Sequence, residues 1–192
     1  MSRNKELISK IGLRLDGRRA NELRRIRCKL GVFTQPDGSA YLEQGLTKVL
    51  AAVYGPHQVR GGRSKAQHDN AIVNCIYPAC VNAATLALID AGIPIKEYVC
   101  ACTASLANND IPMLDISHQE EIIGGPTLTV AALPMSGKIV LMEMSQRFHL
   151  DHLQKVLDKA LQGCRDIKQI LDEAVRLHVR DVGCSTGWAS TS

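Results

Sequence analysis

Residues 37–56 read DGSAYLEQGLTKVLAAVYGP and form a long β-like run. The turn signal Gln35-Pro36-Asp37-Gly38 opens it and Gly55-Pro56 closes it, so Ser39 to Tyr54 reads as one β segment. Gly45 sits in its middle, where a bulge or bend is expected. Just upstream, IRCKLGVF (residues 26–33) alternates apolar and polar residues well enough for another strand. Farther upstream, Asp16-Gly17 marks a turn in Leu15-Asp16-Gly17-Arg18-Arg19. Downstream, Ala71 to Tyr77 is a short β-like run, and Cys80 to Ala91 has an Ala/Leu-rich helical pattern stopped by Gly92 and Pro94. Tyr98–Leu106, Thr127–Leu133 and Lys138–Met144 read as three more strands. The final element is a helix, because Leu153, Val156, Ala160, Cys164, Ile167, Leu171, Val175 and His178 share one stripe. Asp151 is its expected N-cap, and the small, polar tail after Asp181 is expected to fray. Strands before helices, twice over, predict an α/β or α+β fold.

A chain of 192 residues suffices for one domain with a sizeable core, and 45% hydrophobic residues exclude a disordered chain. No apolar run reaches bilayer-spanning length, so no membrane partner is expected. Met1 to Lys10 is polar and lacks a secretory h-region, which predicts an intracellular protein. The seven cysteines are odd in number and lie mostly in apolar surroundings, so they read as free thiols acting as small hydrophobes. Their spacing does not match a zinc site; no metal and no cofactor are expected. Charge is uneven: residues 1–65 hold 14 Lys/Arg against 5 Asp/Glu, whereas 66–192 hold 9 against 14. A basic half suits a polyanion such as RNA, although a charge run by itself reads first as a solvated surface.

Three strings in order, LRLDGRRANELRRI (13–26), DGSAYLEQGLTKVLAAVYGP (37–56) and ACVNAATLALIDAGIP (79–94), resemble the RNase PH family, most closely its ring subunits in the eukaryotic RNA exosome. The resemblance covers most of residues 11–181 and implies the RNase PH fold, similar to the second domain of ribosomal protein S5. It implies a single domain over 11–181, with parts at 11–94 and 95–181, and a disordered tail at 182–192. It further implies other RNase PH-like ring subunits, S1/KH cap subunits, single-stranded RNA and a separate hydrolytic exosome nuclease as partners. A nuclear, nucleolar and cytoplasmic location, with roles in ribosomal RNA maturation and mRNA decay, comes with it.

Active members of the family are phosphorolytic 3′→5′ exoribonucleases, in which phosphate attacks the terminal phosphodiester. Two anions must meet, which calls for cations, a backbone anion site and a carboxylate to place a metal or proton. The resemblance implies an arginine-rich loop, a helix and a strand between the run ending at Tyr77 and the helix at Cys80. Here Tyr77 passes almost directly into Pro78-Ala79-Cys80, so the fold is expected to be truncated by an internal deletion. With that block would go a phosphate-binding turn at a helix N-terminus. The family's two aspartates, six residues apart, map onto Glu121 and Thr127, and Thr127 cannot serve as a carboxylate. Glu120 and Glu121 are neighbours and do not face one another, so they read as an ordinary exposed pair. A non-catalytic ring subunit is therefore the leading expectation. An active phosphorolytic enzyme and a shortened product unable to assemble are the alternatives.

Arg60, Arg63 and Lys65 lie in a polar loop with Gly61 and Gly62, and their charge can follow a phosphate backbone without reading bases. From the residues alone this loop reads as solvated; the resemblance adds RNA contact. It also implies that the Asp16–Arg19 turn is structural and packs at a subunit boundary. Leu46 replaces the family's usual Asn. Loss of a helix and a strand is expected to bare apolar faces and a sheet edge, lowering stability or making it depend on partners.

Overall fold

The computed structural model describes residues 7–9, 11–55, 77–107, 111–147 and 149–185. The elements are β1 (Ile26–Leu30), β2 (Gly38–Gln44), β3 (Thr47–Val53), α1 (Pro78–Asp90), β4 (Cys100–Ala107), β5 (Ile111–Leu114), α2 (His118–Ile123), β6 (Thr127–Leu133), β7 (Lys138–Met144) and α3 (Leu150–Ser185). They make two sheets, ordered β1-β2-β3 and β5-β4-β6-β7, in which every pairing is antiparallel. Helix α1 packs against β2, β3 and β4, while α3 packs against β4, β5, β6 and β1. The two helices thus join the sheets through one shared core.

The alternation of the strands explains that core. Ile26, Cys28 and Leu30 of β1, Ala40 and Leu42 of β2, and Val49, Ala51 and Val53 of β3 all turn inward. In the second sheet, Cys100, Cys102 and Ala104 of β4 join Leu128, Val130 and Ala132 of β6. Onto them α3 lays Val156, Ala160, Cys164, Ile167 and Leu171, all fully buried and spaced three or four residues apart. Helix and sheet approach closely where α3 carries Gly163: a Cβ there would meet Leu114 Cδ1 at 2.5 Å and Cys102 Sγ at 2.7 Å.

The sequence predicts one β segment from Ser39 to Tyr54, with a bulge or bend at Gly45; the chain turns fully back there, as the β2–β3 hairpin. Gln44 and Thr47 pair across a two-residue loop, with φ +62° at Gly45 and no positive φ at Leu46. A positive φ at the first loop position alone is the pattern of a type II′ turn, which matches the twist of antiparallel strands. Leu46, at the tip, is 93% exposed. Strand β5 and helix α2 are too short for the periodicity to show and are additions to the sequence reading. Helix α3 begins at Leu150, so Asp151 lies in its first turn rather than at the N-cap. At its other end α3 continues to Ser185, so the first residues of the expected tail are helical. Residues 71–76 and 186–192 lie outside the described residues.

Around the expected missing block, α1 starts abruptly. Its N-cap is Tyr77, extended and without a side-chain capping bond, and Pro78 occupies the first turn. Among the described residues β3 ends its sheet, with its far edge unpaired and Leu50 51% exposed on its outer face. The other sheet ends at β7, where Ile139, Val140, Met142 and Met144 are exposed. Cys100, Cys102 and Cys164 are buried, Cys28 and Cys80 half-buried, and Cys184 exposed; none of these is in a disulfide. No described helix is long and apolar enough to cross a membrane.

Candidate functional site

The segment Leu114–Glu121 leaves β5, crosses to α2 and draws the N-terminal turn against it. Asp115 holds a left-handed backbone, φ +51°, the one described non-glycine residue with a positive value. Its N–H donates to Thr103 O at 2.7 Å. Its carboxylate then faces the first sheet: Oδ2 accepts from Arg24 N at 2.8 Å, and Oδ1 accepts from Arg24 Nη2 at 2.7 Å and Gln44 Nε2 at 2.9 Å. Its carbonyl accepts from Arg14 and Arg18, each at 3.1 Å. An Asp tolerates this backbone better than most residues, and here the cluster fixes it.

Glu120 is the second carboxylate of the cluster, and it is only 2% exposed. Arg14, itself buried, donates from Nε to Glu120 Oε1 at 2.8 Å and from Nη2 to Oε2, a two-pronged pair. Glu120 also accepts from Ser117 N at 2.8 Å and Ser117 Oγ at 2.9 Å, reaching back to the N-cap of α2 as a capping-box glutamate does. Burial alone would raise the Glu120 carboxyl. The hydrogen bonds from Arg14 and Ser117 outweigh it and hold the group below the usual carboxylate range. Glu120 is therefore not half of an exposed pair. Only its neighbour Glu121 faces solvent, with His118 Nδ1 3.6 Å from Oε2.

Thr127 opens β6. Its hydroxyl donates to Ser145 Oγ at 2.7 Å, and its N–H donates to the same oxygen at 3.0 Å. Glu121 and Thr127 thus present one solvated carboxylate and one hydroxyl tied to a strand partner. The buried carboxylates beside them are neutralised by Arg14 and Arg24. They clamp the N-terminal turn against β5 and α2. At the start of α1, Pro78 has no N–H to offer an anion. Arg60, Arg63 and Lys65 lie outside the described residues. The Asp16–Arg19 turn is tied into its own fold, with Arg18 bonded to Asp16, to Glu22 O and to Asp115 O.

The geometry can be set beside known proteins. Residues 22–78 match the 3′ exoribonuclease family (RNase PH), domain 1, and residues 97–163 match its domain 2. Exosome complex component RRP41 of Homo sapiens is 42% identical over 241 residues, covering 95% of this chain and 98% of that protein. The chain belongs to the RNase PH family. RRP41 of Mus musculus is 42% identical with the same coverage. Among solved structures, rice (Oryza sativa) Rrp46 superposes with a TM-score of 0.73 at 20% identity, covering 85% of this chain and all of the other, and so shares the RNase PH fold. The aligned length of 241 residues exceeds the 192 of this chain, so the RNase PH relatives carry residues with no counterpart here. The domain 1 match stops at Pro78, where the sequence places the missing block.

The sequence reading of the RNase PH motifs singled out Glu121 and Thr127, took Glu120 as exposed, and passed over Arg14, Arg24, Gln44 and Asp115, which the fold brings together with Glu120. One signal was present: Ser117-His118-Gln119-Glu120 has capping-box spacing, which marks Glu120 as the inward residue of the pair.

Proposed function

We propose that this chain is a non-catalytic ring subunit of the RNA exosome, supporting 3′→5′ RNA processing and decay by assembling with other RNase PH-like subunits. The observation that carries the non-catalytic reading is Thr127, whose hydroxyl is committed to Ser145 at the position where active members of the family place a carboxylate. Pro78 at the start of α1 and the lost residues before it weaken the phosphate site in the same direction. The partners of this reading are the neighbouring ring subunits, S1/KH cap subunits, a separate hydrolytic nuclease and single-stranded RNA, met at Arg60, Arg63 and Lys65. The compartments are nucleus, nucleolus and cytoplasm, and the roles are ribosomal RNA maturation and mRNA turnover.

The test has two arms. Incubation with 3′-labelled single-stranded RNA and inorganic phosphate is expected to release no nucleoside diphosphate; phosphate-dependent release would restore the enzyme reading. Affinity capture of the tagged chain is expected to bring down other RNase PH-like subunits. Among the described residues the far edge of β3 has no partner strand, which favours a second reading, a shortened form that does not enter the ring. Capture of the tagged chain without ring subunits would select it.

A further inference from the structure

The outer face of the first sheet has no role in the core or in the buried cluster. Alternation and register place Arg27 and Lys29 of β1, Tyr41 and Glu43 of β2, and Lys48 and Leu50 of β3 on this face. They form two rows across the strands: Arg27–Glu43–Lys48 and Lys29–Tyr41–Leu50. Arg27, Lys29 and Lys48 are exposed, and Tyr41 and Glu43 are half-buried. Tyr41 is central, with Lys29 opposite it, Arg27 diagonal to it on one side and Lys48 diagonal on the other. Glu43 is the one carboxylate in the two rows; it lies between Arg27 and Lys48, and its Oε2 is 3.5 Å from Tyr41 Oη. Arg25, also exposed, precedes β1, and its carbonyl accepts from Gly45 N, which continues the antiparallel pairing.

We propose that this sheet face binds single-stranded RNA, with a base stacked on Tyr41 and phosphates on Arg27, Lys29 and Lys48. Neighbouring strands lie about 4.8 Å apart, so the ring is flanked by cations on both adjacent strands. An aromatic platform bordered by cations suits a chain whose bases have π-faces and whose backbone is anionic. Cations in excess over the single carboxylate select a polyanion; the tyrosine selects one with flat bases. Choosing RNA among nucleic acids rests on the exosome reading above.

The experiment is fluorescence anisotropy of a labelled oligouridylate with the full chain, across a salt series. Tyr41→Ala is expected to weaken binding about tenfold, and Tyr41→Phe to keep it. The pair Arg27→Gln and Lys29→Gln is expected to weaken binding and to reduce the slope of log affinity against log salt by about two. These side chains lie outside the core, so unchanged circular dichroism and melting of the variants are expected. If the sheet variants bind like the parent while Arg60→Gln, Arg63→Gln and Lys65→Gln together abolish binding, the sheet proposal falls and the loop reading stands. If the parent binds no oligouridylate yet still captures ring subunits, the sheet proposal falls and ring membership survives. If polyglutamate binds as tightly and ignores Tyr41→Ala, the face takes an acidic protein and RNA is excluded.

Discussion

Glu120 and Glu121 differ by one position in sequence and by everything in environment. Glu120 is 2% exposed and doubly bound by Arg14, whereas the side chain of Glu121 is 66% exposed. Glu120→Gln removes the charge that Arg14 was buried against, which is expected to cost about 3–5 kcal/mol. Glu121→Gln is expected to change stability by less than about 0.5 kcal/mol. Urea unfolding of both variants measures the contrast, and equal midpoints would refute the clamp. The pH dependence follows from the same group. The folded Glu120 carboxyl lies below its ordinary value, so its contribution is complete above about pH 4.3, the unfolded value. That contribution is lost as pH falls through the lower folded value. Melting temperature is expected to drop on acidification below that range in the parent, and to drop less in Glu120→Gln. Adjacency means that the two glutamates cannot face one another, and capping-box spacing points to Glu120; its buried partner Arg14 lies more than a hundred residues away in the chain. The thiols make a third case. Burial pushes Cys100 and Cys164 up to about 12 and Cys102 well above its usual value. Iodoacetamide at neutral pH is expected to label Cys184 in the folded chain, and Cys100, Cys102 and Cys164 only after denaturation.

At the scale of elements, the strands and helices with clear periodicity were legible: Thr127–Leu133 and Lys138–Met144 match their sequence limits, and α1 and α3 differ only at their ends. The hairpin was not, because Gly45 supports a bulge or a turn equally well by composition. What separates the two is pairing of β2 with β3, a fact about register that no local pattern carries. Gly163 was invisible for a similar reason: its need for no side chain arises from Leu114 and Cys102 on the facing strands. Gly163→Ala gains helix propensity but forces α3 off the sheet. A loss of about 1–3 kcal/mol is expected from overpacking. Thermal unfolding measures it, and a stabilised variant would show that the interface has slack.

For the whole molecule, the family was legible because its strings are long and ordered, and they lie on elements the fold needs: the N-terminal turn, the β2–β3 hairpin and α1. The buried cluster was not legible. Glu120 reads from sequence as one of an exposed pair and Asp115 carries no local sign of its role, yet both are buried carboxylates that the fold needs. Their partners come from the other end of the chain, and such pairings leave no mark on local sequence.

Those pairings also set an order of events. Arg14 and Glu120 are 106 residues apart, and Arg24 and Asp115 are 91 apart. During synthesis the N-terminal turn emerges early and meets no carboxylate of its own cluster until β5 and α2 have followed it. Closing so long a loop costs entropy before any contact repays it. The first sheet can therefore form its hairpin early but cannot be sealed by its own half of the chain. Docking of residues 14–24 onto Asp115 and Glu120 therefore has to wait for the second half of the chain.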